Sequence, residues 1–443
     1  MSIEHGVVVL VTGGSGFIGQ HIIQQLIQES ENLAIREIRS VDLPQTTQLR
    51  TFVGDICNPE SVEKFFEGVN CVFHCAAYVS IEYPPNYEEL ERVNVNGTRN
   101  VIELCVKHNV GRLIYTSCAS VCMVPFKGHS TFTIVINQTE SKASTPTYDV
   151  QKSADFESSF LIPGYSSSKL RAETIVLNSN GANLNNQKDY LSTVAIRPPL
   201  TYGEGDAHFM PKILSYLAKH GNKYPRIAGS GGKQQLAYAG NVAWGHMCAY
   251  KTLTATPKAI AGLPVFITDD TPINDVSRFV QKIALAGKKF KVNLTLWYLP
   301  HFLFFFLAFL IEVIVKLFNP LTHFKLEHSL RAIGSFTASV LMFNRLRASI
   351  HMDYTPLVDS DTALEKSARW YTKYWEENLT PSRKNIIFNF SKQIRFEFLV
   401  KSRSRIFILK ISKSFSNNFN NSFSKRNFFN IALLTQIDYY EGF

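Results

Sequence analysis

The stretch Val7-Val8-Val9-Leu10-Val11-Thr12-Gly13-Gly14-Ser15-Gly16-Phe17-Ile18-Gly19 decides the fold. Val7 to Val11 is apolar at every position, which predicts a strand buried on both faces, as in a parallel sheet. A glycine turn follows at once, and Gly16 to Ile27 carries a helical pattern. A strand, a glycine turn and a helix in that order form the context in which a glycine motif signals dinucleotide binding. The register reads as GxGxxG on Gly14, Gly16 and Gly19 or as GxxGxxG on Gly13, Gly16 and Gly19. Glycines here permit the tight turn, let backbone N–H groups (those of Phe17 and Ile18 open the helix) approach a pyrophosphate, and bring helix and strand close.

Working outward, strand-like runs at Ile35 to Val41, Cys71 to Cys75, Arg112 to Thr116 and Thr193 to Ile196 alternate with helical patterns at Pro59 to Phe66, Tyr87 to His108 and Ser166 to Asn178. Such β-α alternation predicts a Rossmann-type, doubly wound parallel sheet with its ligand crevice outside the strands' carboxyl ends. Asp42 closes the second strand 23 residues after Gly19. A carboxylate there accepts from both adenosine-ribose hydroxyls and repels a 2′-phosphate, which favours NAD; Arg39 is the nearby cation that would speak for NADP. After Pro198 the rhythm breaks into turns, a helix over Val242 to Thr252, a strand over Val265 to Thr268 and a helix start after Thr271-Pro272. The expected division is therefore a cofactor domain over 1–200, a smaller substrate lobe over 201–385 and a tail over 386–443.

With 443 residues, 45% hydrophobic and 19% charged, the chain is globular, not disordered, collagen-like or coiled-coil. Its net charge of +10 would suggest a polyanionic partner, but nine Lys/Arg against three acids put +6 of it in the tail. No nucleic-acid partner is expected. That tail holds eleven Phe with many Asn, Ser and Lys and shows no sustained period. It reads as a disordered chain end or an artefact of the gene model, with a basic-aromatic binding arm as the alternative. Cysteines 57, 71, 75, 105, 118, 122 and 248 make an odd count without CxxC spacing, which is reduced, intracellular usage and offers no metal site. No signal peptide is expected, because Val7 to Thr12 runs directly into the glycine turn.

Tyr165 and Lys169 stand at i and i+4, one helical turn apart on one face. A neighbouring ammonium and an oxidised nicotinamide both favour the phenolate, which makes Tyr165 a general base towards an alcohol losing hydride. Tyr148 and Lys152 repeat the spacing, but Pro163-Gly164 cuts their helix short, whereas Leu170 to Leu177 continues the other.

The TGGSGFIG turn, Gly54-Asp55-Ile56, His74-Cys75-Ala76-Ala77, Asn94-Val95-Asn96-Gly97-Thr98, Tyr165/Lys169 and Arg197-Pro198-Pro199 resemble the extended short-chain dehydrogenase/reductase superfamily. Within it, Tyr115-Thr116-Ser117, Tyr202-Gly203-Glu204-Gly205, Ala239 to His246 and Thr268-Asp269-Asp270-Thr271-Pro272 resemble the 3β-hydroxysteroid dehydrogenase/Δ5-Δ4 isomerase family, from about Val7 to Trp375. The resemblance implies NAD-dependent oxidation of a sterol 3β-hydroxyl to a ketone. It puts Asp55 and Ile56 at the adenine, Ala76 and Ala77 near the nicotinamide ribose, and Asp269 and Asp270 as candidates for the isomerase acid/base. Asp270 before Thr271-Pro272 also reads as a helix N-cap, the stronger reading. The family's catalytic Ser falls on Cys118, and a thiol is a weak donor. Strand alternation puts Ser120 on the same face and Ser117 on the other, so Ser120 is the preferred substitute, with Ser117 brought in only by a turn at the strand end. A 4-carboxysterol 3-dehydrogenase (decarboxylating) is the enzymatic alternative; a non-catalytic NAD sensor or membrane scaffold is the alternative of another class.

Trp297 to Phe318 (WYLPHFLFFFLAFLIEVIVKLF) is long enough to cross a hydrocarbon core. Arg345 to Trp375 resembles the closing piece of the same catalytic lobe, so a crossing would strand it on the wrong side. The expectation is a monotopic insertion into the cytosolic leaflet, with single-pass spanning and a buried core helix pair as alternatives. The endoplasmic reticulum membrane with a cytosolic catalytic domain follows, the mitochondrial membrane being the alternative; a homodimer is left open.

Overall fold

The computed structural model describes residues 6–43, 52–126, 131–147, 153–227 and 232–379, with three further strands at 394–400, 407–413 and 430–432. Seven strands, β1 (Val7–Thr12), β2 (Ile35–Asp42), β3 (Phe52–Val53), β4 (Cys71–His74), β5 (Arg112–Thr116), β6 (Ser192–Arg197) and β7 (Leu263–Phe266), pair in parallel in the order β7-β6-β5-β4-β1-β2-β3. The strand order reverses between β1 and β4, where Thr12 pairs with His74, and this switch point opens the ligand crevice.

Alternation along β1 divides its side chains between two cores. Val9 and Val11 join Ile22, Ile23 and Leu26 of α1 (Phe17–Gln28). Val8 and Leu10 join Val101, Leu104 and Cys105 of α2 (Thr98–Lys107) and Ala172 and Val176 of α3 (Tyr165–Asn178). Helix α4 (Ala239–Ala255) covers the first face through Ala243, Met247 and Leu253. Each fully buried Val, Leu or Ile contributes about 1.5–3 kcal/mol relative to exposure, so both helical layers are bound to the sheet chiefly by apolar burial.

The chain beyond residue 200 interleaves with this domain, because β7 is an edge of the central sheet and α4 covers its face. The smaller lobe has its own core, in which Tyr202, Leu214, Phe279, Tyr371 and Trp375 are buried. Met1–Thr380 forms one compact unit. Pro381–Phe443 forms a second, in which 394–400 pairs antiparallel with 407–413, and 407–413 with 430–432.

Two expectations change here. The helix after Thr271-Pro272 begins at Val276, and its N-cap is Asp275, whose side chain accepts from the Arg278 N–H; Asp270 pairs instead with Arg345. The apolar segment splits at Pro300 into a strand (Asn293–Leu299) and helix α5 (His301–Thr322), among whose residues only Ala308, Glu312 and Val315 are buried. A core helix would bury far more, and ten large apolar side chains of α5, from Phe302 to Leu321, are exposed. Both flanks of α5 return to the same compact unit, Met1–Thr380. Asn293–Leu299 pairs with Lys223–Ile227, α6 (Leu330–Ala338) packs against α5 with Gly334 beneath Phe304, and Val340–Phe343 pairs with Ile134–Gln138.

Candidate active site

The glycine turn is shaped by contacts that leave no room for a Cβ. Gly13 has φ +70°, and a Cβ there would lie 2.6 Å from the Ala76 nitrogen; one on Gly14 would strike Ser40, and one on Gly19 the Gly13 carbonyl. Gly16 meets only its own loop carbonyl, at 3.1 Å, and caps α1, whose first N–H groups have no intrahelical acceptor. The turn thus presses against the end of β4 while offering a helix N-terminus to an anion. Asp42 accepts from the backbone N–H groups of Ser15 (2.9 Å) and Leu43 (2.7 Å), holding its carboxylate beside the turn. Arg39 is engaged by Glu37 and by the carbonyls of Phe65 and Glu67, so the cation that would have argued for a 2′-phosphate is occupied elsewhere. Asp55 accepts from the Cys57 N–H and pairs with Arg92, and Ile56 packs against Gly97. These donors and shapes fit an adenine dinucleotide with a free ribose 2′-hydroxyl.

One turn into α3, Lys169 is buried and donates to the Thr116 carbonyl (2.6 Å), its Nζ lying 4.3 Å from the centre of the Tyr115 ring. Burial pulls its pKa down to about 8, so it keeps its charge at neutral pH. Tyr165 begins the helix immediately after Gly164, which has φ +78°. Burial first, and then the Cys118 thiol beside it, push the phenol well above its usual range. Cys118 and Ser120 are joined (Sγ to Oγ 2.8 Å), and Ser166 donates to Ser120 (3.0 Å). Tyr165, Cys118, Ser120 and Ser166 therefore form one polar cluster at the carboxyl end of β5.

Ser117 lies outside it. Its hydroxyl is buried and donates to Glu173 (2.6 Å), which also forms a buried ion pair with Arg197. Strand alternation anticipates this orientation; no signal in the sequence announces Glu173 as the partner. Asp269 is buried and accepts from the Tyr238 N–H (2.8 Å), Asn241 (3.0 Å) and the Thr271 N–H (3.0 Å). Its carboxylate ties loop to helix, and Asp270 faces Arg345, so neither is joined to the Tyr165 cluster. Tyr148 and Lys152 lie outside the described residues.

Two buried histidines, present in the sequence motifs without an assigned role, support the site from below. His74 bridges Thr12 (2.7 Å) and Thr98 (2.9 Å), tying β1, β4 and α2 together beneath the crevice, and His246 meets Thr116 (2.8 Å) from α4. Burial lowers His74 to about 3, helped by Lys169, and His246 to about 4, so both are neutral. Among the described residues no group of His, Cys, Asp or Glu is placed to hold a metal, and all seven cysteines are free.

The family model described as "3-beta hydroxysteroid dehydrogenase/isomerase family" matches residues 10–293. A Xenopus laevis protein named short-chain dehydrogenase/reductase family 42E member 1 is 30% identical over 319 residues, covering 72% of this chain and 76% of the relative. A mouse (Mus musculus) sterol-4-alpha-carboxylate 3-dehydrogenase, decarboxylating, is 30% identical over 361 residues, covering 81% and 89%. Among solved structures, a UDP-galactose 4-epimerase superposes with a TM-score of 0.57 at 17% identity over 83% of this chain and 99% of that one. A Thermus thermophilus UDP-glucose 4-epimerase complexed with NAD gives 0.55 at 17%, over 82% and 99%; both likenesses concern the fold.

Proposed function

The chain belongs to the 3-beta hydroxysteroid dehydrogenase/isomerase family and is an NAD-dependent oxidoreductase of the extended short-chain type; on that premise we propose that it oxidises the 3β-hydroxyl of a sterol to the 3-ketone. The observation that carries the reading is the cluster of Tyr165, Cys118, Ser120 and Ser166 at the carboxyl end of β5, with Lys169 buried one turn along the same helix. NAD, when bound, takes the hydride released from the carbinol carbon. Tyr165 accepts the hydroxyl proton, Ser120 donates to the same oxygen in place of the family's serine, and Lys169 lends positive charge that lowers the cost of the phenolate. Gly13, Gly14, Gly16, Phe17, Ile18 and Gly19 would cradle the pyrophosphate, Asp42 the adenosine ribose, Asp55 and Ile56 the adenine, and Ala76 and Ala77 the nicotinamide ribose. Exposed α5 would seat the enzyme on a membrane, the cytosolic face of the endoplasmic reticulum being the proposed site; fractionation separates this from the mitochondrial alternative.

We propose oxidation to the ketone without isomerisation, because Asp269 is hydrogen-bonded to Tyr238, Asn241 and Thr271 and Asp270 is paired with Arg345, neither being joined to the Tyr165 cluster. That favours one second reading, a 4-carboxylated sterol as substrate, in line with similarity to the mouse enzyme. Its 3-ketone is a β-keto acid, which loses CO₂ as the electrons of the breaking C–C bond pass into the enol, with no carboxylate needed from the protein. The test is product analysis with NAD and 3β-hydroxy sterols, with and without a 4-carboxylate, for wild type and Tyr165→Phe. A ketone from wild type alone is expected. If both proteins bind NAD and neither forms a ketone, the reading fails; CO₂ release from the carboxylated substrate selects the second reading.

A further inference from the structure

Described residues after β4 and after β5 are tied to α5, Ile81 and Tyr83 through the segment that follows it and Thr131 and Phe132 at its first residue. After β4 and Ala76-Ala77, Tyr83 exchanges backbone hydrogen bonds with Leu326 (3.0 and 2.8 Å), and the Ile81 carbonyl accepts from the Ser329 N–H (2.6 Å). Arg331 lies over the Tyr83 ring (5.7 Å) and pairs with Glu312, the buried carboxylate of α5. After β5, Thr131 bonds to His301 (2.7 Å), the first residue of α5, and Phe132 meets the same imidazole edge-on. The first stretch also touches the catalytic helix, since Pro85 lies where a Cβ on Gly164 would come within 3.0 Å. Both stretches expose apolar side chains, Val79 at 41% and Phe126 at 37%.

We infer that α5 is the lintel of a portal through which substrate passes sideways from a lipid leaflet into the crevice, its first residue and its buried side holding the stretches that frame the mouth. The inference rests on the membrane-bound sterol oxidation proposed above. The occupant of the exposed surface is lipid. A docked protein covers a stripe of roughly 100°, but the exposed apolar side chains of α5 fan over about half of its circumference along the whole helix, as suits insertion into a leaflet, and beside buried Glu312 its only acidic or basic residue of permanent charge is Lys316. Over 22 residues the helix is about 33 Å long, enough to lie along a leaflet while reaching both sides of the mouth. Bilayer contact and the shape of the mouth are thus linked through Thr131 at the start of α5 and through Tyr83, Arg331 and Glu312 on its buried side.

The test compares one sterol delivered in phosphatidylcholine vesicles and on cyclodextrin, for wild type, Thr131→Val and the double variant Glu312→Gln/Arg331→Met, which loosens the Tyr83 tether without leaving a lone buried charge. Flotation with vesicles and thermal melting are measured on each protein. Both variants are expected to float like wild type, to melt within about 4 °C of it and to keep kcat. Their KM for vesicle-borne sterol should rise about tenfold, the worth of roughly one net hydrogen bond, with KM unchanged on cyclodextrin. An unchanged vesicle KM overturns the inference, and so does an equal loss under both deliveries, which marks a general structural effect. If wild type does not float, or forms no ketone under either delivery, the inference falls together with the reading it rests on, and the flotation and product data identify which premise failed.

Discussion

Ser117 and Ser120, three residues apart, are expected to differ in what removal of their hydroxyls costs, stability alone at Ser117 and rate as well at Ser120. Ser117→Ala deletes a buried bond of 2.6 Å to the Glu173 carboxylate, while Arg197 continues to neutralise that carboxylate. A hydrogen bond to a charged group is worth about 1.5–3 kcal/mol. Unfolding entropy of about 2.1 cal/mol/K per residue gives roughly 0.8 kcal/mol/K for the Met1–Thr380 unit, so Tm should fall by about 2–4 °C. Ser120→Ala deletes two bonds to uncharged partners, Cys118 at 2.8 Å and Ser166 at 3.0 Å, at a cost of about 1–3 kcal/mol and a Tm shift of similar size. Rates separate the two. Loss of a donor to the developing oxyanion lowers kcat by about 10²–10³, which is expected of Ser120→Ala alone, with Ser117→Ala within about threefold of wild type. Scanning calorimetry and steady-state NADH formation at saturating NAD and sterol read both quantities. A hundredfold loss in Ser117→Ala with an intact Ser120→Ala would refute the assignment. A rate gain of tenfold or more in Cys118→Ser would show that position 118, not 120, faces the reacting oxygen.

Gly13→Ala should abolish NAD binding in fluorescence titration, because its Cβ meets the Ala76 backbone and its φ of +70° disfavours any side chain. Asp42→Ala should narrow the preference for NAD over NADP about 10–100-fold in kcat/KM, the value of one or two charge-assisted bonds; an unchanged ratio would move the ribose elsewhere. His74 and His246 are held neutral down to about 3 and about 4, so between these values and their usual 6.5 the unfolded chain binds protons that the folded chain refuses. Stability therefore falls as pH drops below 6.5, by up to about 1.4 kcal/mol per pH unit for each histidine, and urea midpoints should show a shallower slope in His246→Asn. For Lys169, lowered to about 8, the sign is the same: the unfolded state holds the extra proton above that value. The stability of wild type relative to Lys169→Met should accordingly rise as pH rises from 8 towards 10.

The cofactor half of the molecule was legible because it rests on local patterns. A β-branched strand leading into Gly13 and Gly16, and a carboxylate closing β2 at Asp42, are fixed by spacings within some 35 residues, and the structure finds them joined through Ser15. Tyr165 and Lys169 were legible for the same reason, being one helical turn apart. The roles of Asp269 and Asp270 were not, since Asp269 is set by Tyr238 and Asn241, about 30 residues away, and Asp270 by Arg345, 75 residues on. A carboxylate beside Pro looks alike whether it caps a helix or anchors a loop; only tertiary partners separate the cases. The apolar segment shows the same limit. Hydropathy predicted its length, but a narrow stripe of contacts around Glu312, Ser329 and Arg331 decides that it lies against its own lobe.

The small parallel sheet in which Ile134–Gln138 pairs with Val340–Phe343, itself paired with Lys233–Gln234, has a consequence for the timing of synthesis. At about 5–20 residues per second, the ribosome makes residue 340 some 10–40 seconds after residue 138. The central strands β1 to β6 are complete by residue 197, so the cofactor half can organise long before the stretch near Thr131 acquires its partner strand or His301 is made. A nascent chain released early is therefore expected to hold the six central strands while lacking the segments that pair with Ile134–Gln138 and bond to Thr131.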